Sequence, residues 1–299
     1  MSEGTSDTEI QPEVEGADTP LPTSYNFADL WAAVWPRAAS RTALVCGPQR
    51  PTYRELAERA NRLAAYLKDA GVGPGDKVAL FLKNDQAYLE AMIAAFTLRA
   101  APVNINHRYT GEELRALLED SGSVALLVHR SLTPQVATVA DTVSSMRAIL
   151  VVDDPVPGEA DGPGVELAGA VGYDQALASS SPERLEIEGR SGDDIYLMYT
   201  GGTTGRPKGV VWRQEDAYFA CIGGGDPMRL LGPVTDPSEV IERMVAGFVY
   251  LPLAPLMHAA AQWTTWSWLL AGGTTVLMPG SLDPEAVWDA VADEGVNSL

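Results

Sequence analysis

Two helix-start signatures, Thr52 with Glu55 and Thr110 with Glu113, set the frame for the first half of the chain. In each, the threonine hydroxyl and the carboxylate three residues later can satisfy one another's backbone N–H groups. Leu56, Ala60, Leu63 and Leu67 then recur at helical spacing until Gly71 offers a left-handed stop. Short apolar runs over 77–82, 102–105, 124–128 and 148–152 predict strands, and helices are expected over 86–99, from Thr110 through Leu114, Leu117 and Leu118, and over 134–143. Strands and helices alternating in this way imply an α/β fold with helices around mainly parallel sheets. Residues 153–192 break the rhythm with Asp, Pro, Gly and Ser, and predict a surface excursion with one short helix over 173–178.

Residues 244–282 hold no Asp, Glu, Lys or Arg. That length would permit a membrane span, but Pro252, Pro255, Gly272 and Gly273 interrupt it. A buried strand, loop, helix and strand is the reading preferred, with no transmembrane segment. Asp283 is placed to cap a helix with Pro284 at its first position and Gly295 at its end, so 296–299 should open a further strand. A chain stopping inside a strand is expected to be a truncated one.

Charge removes one class of partner. With 40 acidic and 21 basic side chains the formal charge is −19, which repels a nucleic-acid backbone. An anionic ligand must be held by a few local donors. Cys46 and Cys221 are far apart and form no metal-ligand pattern, which fits a reducing cytoplasm. Residues 1–24 carry six acids and no Lys or Arg, and are expected to form a disordered acidic tail.

The densest signal runs from Tyr196 to Val210. An apolar strand enters a segment holding Thr200, Gly201, Gly202, Thr203, Thr204, Gly205, Lys208 and Gly209. Glycines let backbone N–H groups approach phosphate oxygens and adopt positive φ, the hydroxyls add donors, and the lysine supplies charge. Neither the Walker A spacing nor a G-x-G-x-x-G dinucleotide fingerprint is met, and a plain Gly/Thr turn between strands stays open as the alternative.

Tyr199-Thr-Gly-Gly-Thr-Thr-Gly-Arg-Pro-Lys-Gly209 resembles the signature loop of the acyl-adenylate-forming (AMP-binding) superfamily, which includes acyl-CoA synthetases and the adenylation domains of peptide synthetases. Pro51 to Leu56, Gly75 to Ala79, Leu98 to Asn104 and Pro255-Leu-Met-His258 are similar to further elements of that family in the expected order. The resemblance implies that residues 25–299 form an incomplete N-terminal AMP-binding domain without the small C-terminal domain. By the same resemblance, Thr200, Gly201, Gly202, Thr203, Thr204, Gly205 and Lys208 contact the phosphates of ATP, and His258 is the catalytic-site residue beside the reacting carboxylate. His107 and His129 are read as structural.

The implied chemistry is attack of a carboxylic acid on Mg2+-bound ATP, giving acyl-AMP and then, with CoA as co-substrate, acyl-CoA. Trp212-Arg-Gln-Glu-Asp216 departs from the family's usual sequence after the loop and resembles ligases of bulky or steroid acids. Arg213 is equally read as a solvated charge, and Trp263, Trp266 and Trp268 as core rather than pocket lining. The family's "YGxTE" element, ribose aspartate and C-terminal lysine are not in the 299 residues. The isolated chain is therefore expected to be inactive. The alternatives are a non-catalytic binding module of the same fold, or an adenylation domain serving a carrier protein.

Overall fold

Both capping signatures start helices. The structure, a computed structural model, describes residues 15–16, 18–155, 164–201, 207–280 and 283–299. Helix α1 (Phe27–Val34) and strand β1 (Leu44–Cys46) lead to α2 (Tyr53–Asp69). There the Glu55 N–H donates to the Thr52 hydroxyl at 3.2 Å and the Thr52 N–H donates to the Glu55 carboxylate at 2.8 Å. Gly71, at φ +89°, turns the chain out of the helix. The stripe of Leu56, Ala60, Leu63 and Leu67 is wholly buried.

Next come β2 (Lys77–Phe81), α3 (Gln86–Thr97), β3 (Ala101–Asn104), α4 (Gly111–Ser121) and β4 (Ala125–His129). The single helix expected over 134–143 is two short ones, α5 (Thr133–Ala137) and α6 (Ala140–Val143). The Thr138 hydroxyl donates to the Gln135 carbonyl between them, and Val139 leaves helical geometry. Strand β5 (Ala148–Val152), β6 (Val171–Gly172) and α7 (Tyr173–Ala178) complete this half.

These strands form one sheet in the order β3-β2-β4-β5-β6, parallel throughout. Val78 and Leu80 face the cluster built on α1, α2 and α3, whereas Ala79 and Phe81 face Leu114, Leu117 and Val136 of α4 and α5. Burial on both faces explains why the strands read as continuous apolar runs.

The chain continues through β7 (Ile195–Thr200), β8 (Lys208–Arg213), α8 (Gln214–Ala220), β9 (Val249–Tyr250), α9 (Ala259–Leu270), β10 (Thr274–Leu277) and α10 (Pro284–Asp293). Strands β1, β10 and β9 make a second parallel sheet, and β7 with β8 is an antiparallel pair, the one departure from parallel pairing among the described strands. The charge-free stretch is β9, a proline-bearing loop, α9 and β10. No helix among the described residues is long and apolar enough to cross a membrane. Asp283 caps α10 through the Glu285 N–H, Gly295 takes φ +65°, and Ser298 bridges Tyr250 in parallel.

Residues 18–24, assigned to the tail by composition, are held at both ends of α1, where Arg37 beyond its end donates to the Thr19 carbonyl and the Ser24 hydroxyl donates to Asp29 in its first turn. The packed chain thus begins ahead of Tyr25; residues 1–14 lie outside the described ones.

Helix α3 is buried at every residue, including Glu90. A buried carboxylate needs partners. Glu90 accepts from Arg59 Nε and Gln86 Nε2, both at 2.6 Å, and from the Tyr173 hydroxyl.

Candidate active site

Strands β7 and β8 pair residue for residue, Tyr199 opposite Gly209 and Thr200 opposite Lys208. The register therefore sets the hydroxyl at one end of the loop against the ammonium at the other. Thr200, Gly201 and Lys208 are exposed, and Lys208 makes no ion pair with any described residue. Gly202, Thr203, Thr204 and Gly205 lie outside the described residues.

Gly209 also has a packing role. Gly201 and Gly209 do not adopt positive φ. A Cβ on Gly209 would stand 3.0 Å from the Tyr199 ring, so the glycine makes room for that ring to cross the strand pair. The Tyr199 hydroxyl then reaches Asp120 at 2.6 Å, and burial together with that carboxylate pushes its pKa up. The ring pins the start of the loop to α4.

His258 is the N-cap of α9 and is exposed. It is presented by a turn in which its N–H donates to the Pro255 carbonyl at 2.9 Å and its carbonyl accepts from Gln262 N–H at 3.2 Å. Asn84 holds the same turn by accepting the Leu256 N–H at 2.8 Å. Gln262, on the first turns of α9, donates to the Leu256 carbonyl at 2.7 Å and accepts the Tyr196 hydroxyl proton at 2.6 Å.

A second side chain joins the same two segments. Asn104, at the end of β3, accepts the Tyr199 N–H at 2.7 Å, and its Nδ2 donates to the carbonyls of Tyr199 at 2.8 Å and Met257 at 2.7 Å. The residue before Thr200 and the residue before His258 thus sit on one amide, with their carbonyl oxygens within two hydrogen-bond lengths of each other. Thr200, Gly201, Lys208 and His258 are each exposed. In the sequence Asn104 is only the end of the Leu98–Asn104 segment, and Gln262 is a polar residue inside the charge-free stretch. The available signal was a polar residue closing an apolar strand.

Other candidates fall away from the chemistry. His129 is fully buried, accepting from Lys83 N–H and pairing with Asp85, each at 2.9 Å, as a structural histidine does. Arg213 is spent on Asp193, Glu215 and Asp216 at the surface. Trp266 stacks on Phe27 in the core and Trp268 on Phe248, while Trp263 is half-buried with its ring edge on Trp212. Cys46 is buried and free, its thiol pushed up to about 12 by burial, hence unreactive. A cavity of about 510 Å3 at the carboxyl ends of β4, β5 and β6 lies apart from Thr200 and His258. Its Arg59, Asp85, Arg130 and Asp174 are already paired with protein groups. Among the described residues no three His, Cys, Asp or Glu side chains gather to hold a metal ion.

Comparison with known proteins places this arrangement. The profile of the family described as AMP-binding enzyme matches residues 31–299. The chain belongs to that family. This AMP-binding family member is 39% identical over 278 residues to the 3-oxocholest-4-en-26-oate-CoA ligase of Rhodococcus rhodochrous, covering 92% of the chain and 48% of the relative. It is 42% identical over 276 residues to a medium/long-chain-fatty-acid-CoA/3-oxocholest-4-en-26-oate-CoA ligase of Mycolicibacterium smegmatis, covering 92% and 49%. The chain spans about half the length of these curated relatives. Among solved structures, the anthranilate CoA ligase AuaEII in complex with anthranoyl-AMP superposes with a TM-score of 0.74 at 23% identity, covering 91% of the chain and 48% of that one. The inhibitor-bound N-terminal domain of FACL13 from Mycobacterium tuberculosis gives 0.67 at 25%, covering 91% and 61%. These superpositions establish that the AMP-binding family member shares their fold.

Proposed function

We propose that this chain supplies the phosphate loop and part of the acid-binding surface of an ATP-dependent acyl-CoA synthetase acting on a fatty or bulky, steroid-type carboxylic acid. The observation that carries the proposal is the Thr200–Lys208 register held beside His258 through Asn104. Thr200, Lys208 and His258 are each exposed, and Asn104 ties together the residues that precede Thr200 and His258. The names of the relatives support the acid class.

In the reaction, the acid's carboxylate oxygen bonds to the α-phosphorus of ATP and pyrophosphate leaves. The CoA thiol then takes the acyl group and AMP departs. Such chemistry needs positioned donors more than covalent help from the protein. The Thr200 hydroxyl and the loop N–H groups grip the phosphate oxygens, Lys208 neutralises charge there, and the His258 imidazole orients the carboxylate. Mg2+ would enter as part of the MgATP substrate and would neutralise charge on the phosphate oxygens, since no described carboxylate cluster is gathered to hold it. A net charge of −19 opposes ATP at long range, so these local donors must outweigh the field. The place of action is the cytoplasm.

The test is calorimetric titration of the chain with MgATP and with pyrophosphate, followed by acid-dependent ATP–pyrophosphate exchange with fatty and C26 steroid acids. Saturable nucleotide binding with little exchange by the 299-residue chain is the expected result. Absence of binding sinks the phosphate-loop reading, and rapid exchange overturns the expectation that this polypeptide alone is inactive.

A further inference from the structure

We propose that Asn104 is a positioning residue that couples the phosphate loop to His258. Its functional meaning rests on the reading above, but the coupling is a property of the fold itself. Asn104 is 5% exposed, and the groups it binds belong to segments 95 and 153 residues away. Its amide has one acceptor and two donor hydrogens, and all three meet backbone groups. The amide's orientation is settled by this pattern, because the Tyr199 N–H can be satisfied only by the oxygen.

The partners are what make the residue more than a packing element. Tyr199 is the last strand residue before Thr200, and Met257 immediately precedes His258. Neither segment pairs its facing groups with the other. Asn104 Nδ2 donates to both carbonyls at once, so it fixes their separation. Tyr199 is held again through its hydroxyl on Asp120, and the His258 turn again through Asn84 and Gln262. Those anchors fix each segment to the body of the fold. Gln262 also touches both segments, through the Tyr196 hydroxyl and the Leu256 carbonyl, but Asn104 is the bridge between the residues that adjoin Thr200 and His258, and a nucleotide whose phosphates lie on Thr200 while its acid partner lies at His258 depends on that spacing.

The experiment is NMR on the isotope-labelled 299-residue chain, whose three histidines give three imidazole signals. His129, locked between Lys83 and Asp85, is the internal control. Asn104→Ala is expected to move the His258 signal, leave the His129 signal in place, and speed hydrogen exchange at the Tyr199 and His258 amides about tenfold. Asn104→Asp keeps an acceptor for the Tyr199 N–H and loses the donors to the Tyr199 and Met257 carbonyls. It is expected to leave the Tyr199 amide slow while still moving the His258 signal, and it decides alone should the alanine variant fail to fold.

An unmoved His258 signal in a folded variant overturns the proposal. So does uniform acceleration of exchange through β2 and β4, which would mark a general loss of stability. Adding MgATP separates the two readings. A wild-type chain that does not respond sinks the phosphate-loop reading while the ligand-free comparison still judges the coupling. If it responds, Asn104→Ala is expected to bind at least about tenfold more weakly, and equal binding overturns the proposal.

Discussion

Gln262 accepts the hydroxyl proton of Tyr196 at 2.6 Å, tying the start of α9 to the start of β7 inside the core. The same side chain donates to the Leu256 carbonyl at 2.7 Å and to the Tyr88 hydroxyl at 3.1 Å. Both the strand that leads to Thr200 and the turn that presents His258 therefore depend on one buried amide. Gln262→Leu would leave the Tyr196 hydroxyl and the Leu256 carbonyl without partners, at a cost of about 3 kcal/mol. Urea unfolding reads this as a lower midpoint at unchanged slope. A loss below about 1 kcal/mol would show that water or repacking replaces the hub.

Lys208 and His258 are exposed, so removing them should separate function from stability. Lys208→Ala is expected to weaken MgATP binding about tenfold, the value of a charge-assisted hydrogen bond, while the unfolding free energy stays within about 0.5 kcal/mol. His258→Ala should likewise leave the unfolding curve in place. A large destabilisation by either would mean a structural role that their exposure does not indicate.

Burial pushes the Glu90 carboxyl above its ordinary range, outweighing Arg59, Tyr173 and Gln86, whose hydrogen bonds favour the ionised form. A group whose folded pKa lies above its unfolded one stabilises most at low pH and loses that contribution as pH rises through the folded value. Glu90→Gln, which keeps the shape of the neutral acid, should therefore fall furthest behind wild type near pH 4 and least near pH 8, both approximate bounds of the carboxylate window. Urea midpoints for the two proteins across that window check it. A gap that widens towards alkaline pH contradicts the assignment.

Thr52→Ala removes the side-chain cap of α2 and leaves the Glu55 N–H without its partner. The expected loss is about 1 kcal/mol, with the helix otherwise intact by circular dichroism. Thr110→Ala at α4 should cost a similar amount, and no loss at either position would show that water caps these ends equally well.

Much of the architecture was legible in local order. Thr52 with Glu55, Gly71, and Asp283 with Pro284 and Gly295 announce helix ends because capping is satisfied within three or four residues. The strand over 148–152 was legible as a short apolar run, the helix expected over 173–178 is α7, and the absence of charge from 244 to 282 marked β9, α9 and β10 as core. The hairpin motif from Tyr199 to Gly209 carried enough specific positions to identify the family.

What only the tertiary structure decided is how those pieces meet. No spacing in the chain announces that Asn104 binds Tyr199 and Met257, that Gly209 yields space to the Tyr199 ring, or that Glu90 is sealed among Arg59, Gln86 and Tyr173. Capping boxes and amphipathic stripes are periodic along one segment, so sequence alone determines them. A buried amide or carboxylate finds its partners on segments tens of residues away, and burial makes those partners obligatory only after the sheets have closed around them.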